Sequence, residues 1–301
     1  MDCIKAWIKA ARLPAQFFIF PSLLLGQSIV FYQTGTWSWV IFIVVHIYGL
    51  LMHLFIVYAN DYADYDTDKI NNSYTPFTGG SRVLVDGLLK KEDLLKASIF
   101  MAILIVLTMS FLSVYISSIL PLLLALIGIF LLHAYSFSPI KMSYRGFGEI
   151  LQVIGVGVVL PLIGYVSQLG SLMQFPIMLI AVLLPAQYAM AISTSLPDEP
   201  SDRLSNKHTT VVILGVPLSR VLLFALFLLT LSILLTLIPI ANIHSALLLV
   251  TIVSMIVLSY FSINKNVIPG SKPMTVLVAF SIFLNTFIVA SIAVTNLFGL
   301  H

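Results

Sequence analysis

The 301 residues of this chain are 59% hydrophobic and only 9% charged, whereas a soluble domain carries roughly 25% charged residues. The formal net charge is +3 and the mean hydropathy is +1.06, so composition excludes an ordinary soluble protein and predicts an integral membrane bundle of helices. The single cysteine, Cys3, excludes an intrachain disulfide and metal sites that need several cysteines.

Nine segments are long and apolar enough to span a bilayer, since a span needs about 20 mostly apolar residues. They lie at approximately 13–32, 37–59, 97–114, 119–138, 148–166, 175–196, 218–240, 244–262 and 274–296. The expected fold is all-α, with residues 1–301 forming one nine-helix transmembrane domain. The longest polar segment, 60–96, has room for a cap over a site. Gly155, Gly157 and Gly164 in the fifth span predict close approach of neighbouring helices.

The charged residues predict the topology. All fifteen basic residues fall on one side of the nine spans, and the turns on the other side have none. The positive-inside rule makes the basic side cytoplasmic, which places the amino terminus inside and the carboxyl terminus outside. The acidic residues lie on the same side. We therefore expect a multi-pass protein of the cell inner membrane, with its charged chemistry at the cytoplasmic face.

The first of two acidic clusters, residues 60–68, follows the second span. Tightly packed carboxylates repel one another unless cations hold them together, and Mg²⁺ takes one or two carboxylates plus phosphate oxygens. Asn60, Asp64 and Asp68 are spaced by four residues, so a helix continuing past the span places them on one face. Asp61 and Asp66 point elsewhere on that helix and are weaker candidates.

The second cluster, residues 198–202, follows the sixth span. Asp198 and Asp202 are again four residues apart. Pro200 suits the first turn of a helix better than its interior, so we expect the span to end near Leu196 and a short helix to begin near Asp198. The two clusters hold seven of the twelve acidic residues and together predict a site for Mg²⁺ and a diphosphate. A solvated helix edge is the alternative interpretation of either cluster alone.

Basic side chains at the same face could neutralise a diphosphate, because arginine and lysine both bind phosphate. The candidates are Arg82, Lys141, Arg145, Arg203 and Lys207. Cytoplasmic loops are also basic for reasons of topology, so an orientation signal is the alternative role of each side chain.

With these residues the sequence resembles the UbiA superfamily of intramembrane prenyltransferases. Segments 60–68 and 198–202 resemble the two Asp-rich motifs of that family, and residues 202–209 resemble its DRxxGKxT continuation, with Asn206 in place of the usual glycine. Segments 135–141 and 144–149 also match. Residues 78–89 are similar to the 1,4-dihydroxy-2-naphthoate prenyltransferase branch, although Thr194 and Pro197 replace an Asn and an Arg that normally serve the diphosphate and metal region.

The resemblance implies an enzyme that uses Mg²⁺ to transfer a polyprenyl group from a prenyl diphosphate to an aromatic acceptor. A 1,4-dihydroxy-2-naphthoate-like acceptor of menaquinone biosynthesis is favoured. The expected partners are the prenyl diphosphate, the acceptor and the lipid bilayer, and no nucleic acid. The expected metal ligands are Asn60, Asp64, Asp68, Asp198 and Asp202, with the four aspartates catalytic; the expected diphosphate contacts are Arg82, Lys141, Arg145 and Lys207; Asp61, Thr194 and Arg203 are further candidates.

Three other functions remain open. Within the superfamily, the prenyl cation could be captured intramolecularly, as in a terpene cyclase, or by a lipid glycerol. Outside it, a cation or lipid-phosphate transporter would also place acidic residues in a membrane protein. The confinement of the acids to one face favours the enzyme.

Overall fold

The computed structural model describes residues 3–13, 18–237 and 245–298. In chain order the helices are α1 Cys3–Ala10, α2 Ile19–Thr34, α3 Trp39–Ala63, α4 Tyr65–Ile70, α5 Lys91–Tyr115, α6 Leu120–Ser136, α7 Gly148–Leu169, α8 Met178–Ser195, α9 Glu199–Leu204, α10 Thr210–Leu214, α11 Val216–Leu237, α12 Ser245–Ile263 and α13 Lys272–Phe298. In these ranges no strand forms beyond an isolated bridge between Thr75 and Thr78. The all-helical prediction is therefore confirmed for this part of the chain.

A helix overlaps each of the nine predicted spans. Among the described residues, six helices are long and apolar enough to cross a membrane, namely α3, α5, α7, α8, α11 and α13. Helices α2 and α6 are shorter, with 16 and 17 residues. The parts of the predicted spans at 14–17, 238–240 and 244 lie outside the described residues. The six long helices support a multi-pass membrane protein, and the count of nine spans stays a prediction.

Helices α2 and α7 approach each other so closely that their backbones touch. A Cβ atom at Gly26 would lie 2.0 Å from the carbonyl oxygen of Pro161, and one at Gly164 would lie 2.1 Å from that of Leu23. Small residues permit such contact between membrane helices. The prediction for Gly164 is confirmed, whereas the nearest atom to a Cβ at Gly155 is 3.9 Å away.

Around this pair, α13 packs on α2, α3 packs on α5, and α8 lies between α11 and the first half of α7. Helix α7 widens into a π-turn at Gly155–Val159. Pro161 lies just beyond it, lacks an N–H group and would crowd the carbonyl of Gly157 in a regular helix. The wider turn relieves that crowding.

The polar segment predicted as a cap at 60–96 is shorter in the structure. Residues 60–63 complete α3, residues 65–70 form α4, and α5 begins at Lys91. Helical hydrogen bonding continues past the apolar run of α3 to Asp64, and Leu94 in the first turn of α5 is buried in the core. The remaining loop, residues 71–90, folds over one end of the bundle. Its side chains Val83 and Leu84 are buried against α1, α3 and α5. We call residues 71–82 of this loop the roof.

Candidate active site

A cavity of about 310 Å³ begins under the roof and extends into the bundle. Helix α3 lines its whole length with residues four apart, which form one stripe on the helix. From the inner end to the roof the stripe consists of Tyr48, Met52, Ile56 and Asn60, and Asp64 continues it directly after the helix ends. The cavity is therefore polar and acidic at the roof and apolar inside the bundle.

The first acidic motif lies at the junction of α3 and α4. Helix α3 ends at Ala63, yet the Asp64 N–H donates to the Asn60 carbonyl and the Asp68 N–H to the Asp64 carbonyl, each at 2.8 Å. The helical spacing therefore continues through the break. Asn60, Asp64 and Asp68 all line the cavity, as their spacing predicts, and the two aspartates are buried.

Asp61 has a different environment from the three cavity residues. It is buried away from the cavity lining, and both of its carboxylate oxygens accept from the backbone N–H of Ser81 at 3.2 Å. The Ser81 hydroxyl also donates to it, and an Arg12 nitrogen lies 3.8 Å away. Asp61 thus anchors the roof to α3. Asp66 is exposed to solvent, in agreement with its predicted direction.

Gly80 fits the roof closely over the first motif. Its φ is +70°, and a Cβ atom there would lie 2.1 Å from a carboxylate oxygen of Asp68. A left-handed φ and the absence of space both require glycine. The backbone of the roof therefore rests directly on the Asp68 carboxylate.

The second motif adopts the predicted local structure. Helix α8 ends at Ser195, and α9 begins at Glu199 with Pro200 in its first turn. Asp198 and Asp202 both line the cavity. The Asn71 amide donates to Asp198 at 2.8 Å, and the Ser73 hydroxyl donates to the Pro197 carbonyl at 2.6 Å. The roof therefore holds the second motif as well as the first.

Lys207 joins the two motifs. Its ammonium nitrogen lies 2.9 Å from a carboxylate oxygen of Asp64 and 3.7 Å from one of Asp202. The preceding residue, Asn206, has φ +57°, a conformation that glycine and asparagine adopt most readily. Asparagine can therefore replace the usual glycine of the family motif while the turn still points Lys207 into the cavity.

The carboxylates outnumber the cations that touch them. Burial, followed by repulsion from Asp64 and Asp61, raises the pKa of Asp68 to about 8. Burial also raises the pKa of Asp202 to about 7, against the attraction of Lys207. Burial opposes the charge on Lys207, but attraction to Asp64 and Asp202 outweighs it and holds the Lys207 pKa well above its usual range. Further positive charge would stabilise this site.

The oxygen donors at the roof end fit Mg²⁺. Carboxylates and amide oxygens are ligands that a hard cation prefers. Within the described ranges, no three acidic, histidine or cysteine side chains lie close enough together to enclose a metal by themselves. Mg²⁺ does not require such a group, because this ion usually takes one or two carboxylates and completes its shell with phosphate and water oxygens.

The structure places the predicted basic side chains in different environments. Among them only Lys207 lines the cavity. Arg82 donates to the backbone carbonyls of Asp68 and Asn71 and lies over the Tyr74 ring. Arg82 therefore holds the roof in the structure, and its role as a diphosphate ligand stays a prediction.

The other three predicted cations make contacts outside the cavity wall. Lys141 stacks on the Tyr144 ring at 3.7 Å, and Arg145 donates to the Pro139 carbonyl at 2.9 Å. Arg203 pairs with Glu199 on the surface. Thr194 lines the cavity while its hydroxyl donates to backbone carbonyls of its own helix.

Several polar residues of the cavity lining were not predicted from the sequence. They are Arg12, Thr67, Asn71, Thr78, Glu149, Gln152 and Thr209. Arg12 follows α1, has φ +44° and donates to the Phe77 carbonyl of the roof at 3.2 Å. In the sequence, Arg12 indicated only the orientation of the first span. Its contact with Phe77 could not be predicted, because that contact depends on how the roof folds.

The fold and the cavity together define a helical membrane protein with an acidic, roofed site at one end. Residues 19–285 match the UbiA prenyltransferase family, which is most of the chain. The chain belongs to that family and is an enzyme of the prenyltransferase class. No curated protein sequence matches the chain significantly.

Solved structures with the same fold cover nearly the whole chain. A UbiA homolog from Archaeoglobus fulgidus bound to GPP and Mg²⁺ is similar with a TM-score of 0.68 at 13% identity, covering 97% of this chain and 99% of that chain. The apo UbiA homolog from Aeropyrum pernix K1 has a TM-score of 0.68 at 16% identity, with 92% and 98% covered. A digeranylgeranylglyceryl phosphate synthase has a TM-score of 0.62 at 16% identity, with 99% of each chain covered. At these identities the likeness shows the shared fold.

Proposed function

We propose that the protein uses Mg²⁺ to transfer a prenyl group from a prenyl diphosphate to an aromatic acceptor. The observation that carries the proposal is the polarity of the cavity, which joins two acidic motifs and Lys207 at one end to an apolar interior at the other. A prenyl diphosphate has the same two-part chemistry. The homolog from Archaeoglobus fulgidus that was solved with GPP and Mg²⁺ supports the assignment of both ligands.

In this proposal Asn60, Asp64, Asp68, Asp198 and Asp202 hold the metal. When bound, Mg²⁺ supplies the positive charge that offsets the charge on a departing diphosphate. Lys207 lies between the two motifs and contributes a further cation from the protein itself. Arg12 lines the cavity under the roof and provides a second basic group close to the same end.

The reaction requires the allylic C–O bond to break, with the electron pair leaving on the diphosphate. A ring carbon of the acceptor then forms a bond to the allylic carbon and loses its proton. A carboxylate of the site is the proposed proton acceptor. The roof and the apolar walls exclude water, which would otherwise capture the electron-poor carbon.

We propose that the acceptor is of the quinone type, with a 1,4-dihydroxy-2-naphthoate-like ring favoured. The support is the similarity of residues 78–89 to that branch, together with the position of part of this segment in the roof. Thr78, Gly79 and Gly80 line the cavity directly above the acidic motifs. An acceptor entering under the roof would contact these residues first.

The orientation in the membrane is also a proposal. The distribution of basic residues supports a cytoplasmic position for the acidic end and the amino terminus in the inner membrane. Cys3, the only cysteine of the chain, is exposed on α1. A membrane-impermeant thiol reagent should therefore label it in inverted vesicles and not in intact cells; the reverse pattern would contradict the orientation.

The function is tested with purified protein, Mg²⁺, a prenyl diphosphate and a panel of acceptors, with the products identified by mass. We expect a prenylated aromatic product. Asp64→Ala and Asp198→Ala should each lower turnover at least about a hundredfold, the scale for removing one group that stabilises developing charge. Asp66→Ala is the matched control, because Asp66 belongs to the same cluster and is exposed; its turnover should equal that of the wild type.

The alternatives give different results in the same assay. A cyclised hydrocarbon or a prenylated glycerol lipid would identify one of the other two reactions. Full turnover after Asp64→Ala would refute the role of the first motif. Metal-dependent flux into liposomes without consumption of any prenyl diphosphate would favour a transporter.

A further inference from the structure

The apolar end of the cavity has a defined floor. Its deepest lining residues on three helices are Tyr48 of α3, Gly128 of α6 and Leu160 of α7. One turn further along these helices, the side chains are buried in the core and do not line the cavity: Val45, Leu124 and Ile163. The cavity therefore stops at Tyr48, Gly128 and Leu160.

Tyr48 provides the bulk of this floor. Its side chain is fully buried, and its hydroxyl has no hydrogen-bond partner among the described residues. A buried hydroxyl without a partner destabilises a fold, so a hydrogen bond within the protein does not explain why a tyrosine lies at this position. The aromatic ring occupies the end of the cavity.

Gly128 lies opposite the Tyr48 ring. A Cβ atom at this position would lie 3.6 Å from the Tyr48 hydroxyl and 3.1 Å from the terminal methyl of Met52. Its lack of a side chain thus makes room for the Met52 methyl and the Tyr48 hydroxyl at the end of the cavity, and a side chain there would push them toward the cavity. The pair of residues determines how far the cavity extends.

The length of the cavity follows from the α3 stripe. At a rise of 1.5 Å per residue, the path from Asp64 at the acidic end to Tyr48 at the floor is about 24 Å. The walls along the inner part of this path are apolar, so they suit a hydrocarbon chain.

We infer that Tyr48 and Gly128 set the maximum length of the prenyl chain that the enzyme accepts. The inference rests on the proposed function, because it places the diphosphate at the acidic end and the prenyl chain along α3. A short chain ends above the Tyr48 ring. A chain longer than the path meets the ring and binds only if the diphosphate is displaced from the acidic end.

The test compares turnover with geranyl, farnesyl, geranylgeranyl and longer polyprenyl diphosphates, with one acceptor throughout. We expect the wild type to show a threshold, with a sharp fall in kcat/KM for donors whose prenyl chains exceed a certain length. Tyr48→Ala should raise the ratio of kcat/KM for the first rejected donor to that for the best donor by about tenfold, the low end of size discrimination by an apolar pocket. Gly128→Ala should shift the preference toward shorter donors.

Two control variants separate the floor from general effects on packing. Tyr48→Phe keeps the ring and should keep the wild-type ratio. Tyr165→Ala removes an equally buried tyrosine that does not line the cavity and whose hydroxyl donates to Gln33. It should lower the melting temperature and leave the ratio unchanged.

A second readout does not depend on turnover. Non-reactive thiolodiphosphate analogues of the same chain lengths should raise the melting temperature of the wild type only up to a certain chain length. For Tyr48→Ala, analogues with longer chains should also raise the melting temperature. Equal stabilisation of both proteins by every analogue, or equal wild-type turnover with every donor, would overturn the inference and show that the chain leaves the cavity elsewhere. Absence of turnover with every donor and acceptor would instead count against the proposed function, while the analogue series would still test the floor.

Discussion

The two acidic motifs lie at the same end of the cavity but are held in place by different means. The first continues a helix of 25 residues, and backbone hydrogen bonds carry the helical spacing through Asp64 to Asp68. The second consists of Asp198, directly before the six-residue helix α9, and Asp202 on that helix, and it is held by Asn71 and Ser73 of the roof. The geometry of the first motif is thus set by its own helix, whereas that of the second depends on a loop elsewhere in the sequence.

Although the two motifs are held differently, the roof and Lys207 contact both of them. The roof contacts the first motif through Ser81 and Gly80 and the second through Asn71 and Ser73. Lys207 contacts a carboxylate of each motif. Loss of Lys207 should therefore affect both motifs, whereas changes in single roof residues should affect one motif at a time.

Lys207→Met should have the largest effect. Breaking a buried ion pair by removing one partner costs about 3–5 kcal/mol, and the ammonium group is nearly inaccessible to solvent. We expect turnover to fall at least about a hundredfold and the melting temperature to fall, with Mg²⁺ restoring part of the lost stability.

Arg203→Met is the matched control for that experiment. Arg203 pairs with Glu199 at 2.6 Å on the exposed side of the second motif, and exposed pairs contribute about 0–1 kcal/mol. Its turnover should equal that of the wild type. Equal loss in both variants would mean that Lys207 acts only through the general charge of the region.

Gly80→Ala should have the next largest effect and should act on the first motif. The new Cβ would lie 2.1 Å from the Asp68 carboxylate, so either Asp68 or the roof must move. We expect an activity loss of about 10- to 100-fold, as for other changes that misplace a metal ligand. Gly87→Ala is the control, since Gly87 has φ +66° but nothing within 4 Å of the added Cβ. It should cost only about 1–2 kcal/mol of stability from backbone strain. Equal activity of the two variants would show that strain, and not contact with Asp68, is responsible.

Asn71→Ala should have the smallest effect of the three and should act on the second motif. It removes one of two side-chain hydrogen bonds to Asp198, the other coming from Thr78, and loss of such a partner typically lowers metal affinity about 10- to 100-fold. We expect a rise in the Mg²⁺ concentration needed for half-maximal turnover, with full activity recovered at saturating Mg²⁺. Asn72→Ala serves as the control, because Asn72 is the neighbouring asparagine of the roof and is exposed. An unchanged Mg²⁺ dependence in Asn71→Ala would mean that α9 positions Asp198 without help from the roof.

The first motif was predictable because its geometry is local. The four-residue spacing of Asn60, Asp64 and Asp68 defines one helical face wherever the helix continues, and Pro200 similarly defines the start of α9. The apolar runs predicted the positions of the helices for the same reason. Asp61 lies on another face of the helix, as its position in the sequence indicated, but its contact with Ser81 of the roof was not predicted.

The roof contacts could not be predicted, because they depend on pairings between distant segments. Arg82 and Lys207 are both basic residues near an acidic cluster, yet Arg82 donates to backbone carbonyls and only Lys207 enters the cavity. Asn71 reaches Asp198 across 127 positions of sequence. Tyr48 is one of twelve tyrosines in a chain that also has twenty phenylalanines, so composition and spacing gave no sign that its ring closes the cavity.

The contact between α2 and α7 bears on how a product leaves. At Gly26 and Gly164 these two backbones have no room for a single methyl group, so neither helix can slide or rotate against the other without a clash. We expect them to behave as one fixed wall during the catalytic cycle, and release of a prenylated product to require displacement of the roof or of α3, α6 or α8. A disulfide engineered between α2 and α7 should then leave turnover unchanged; loss of turnover on its oxidation, with recovery on reduction, would show that this wall opens.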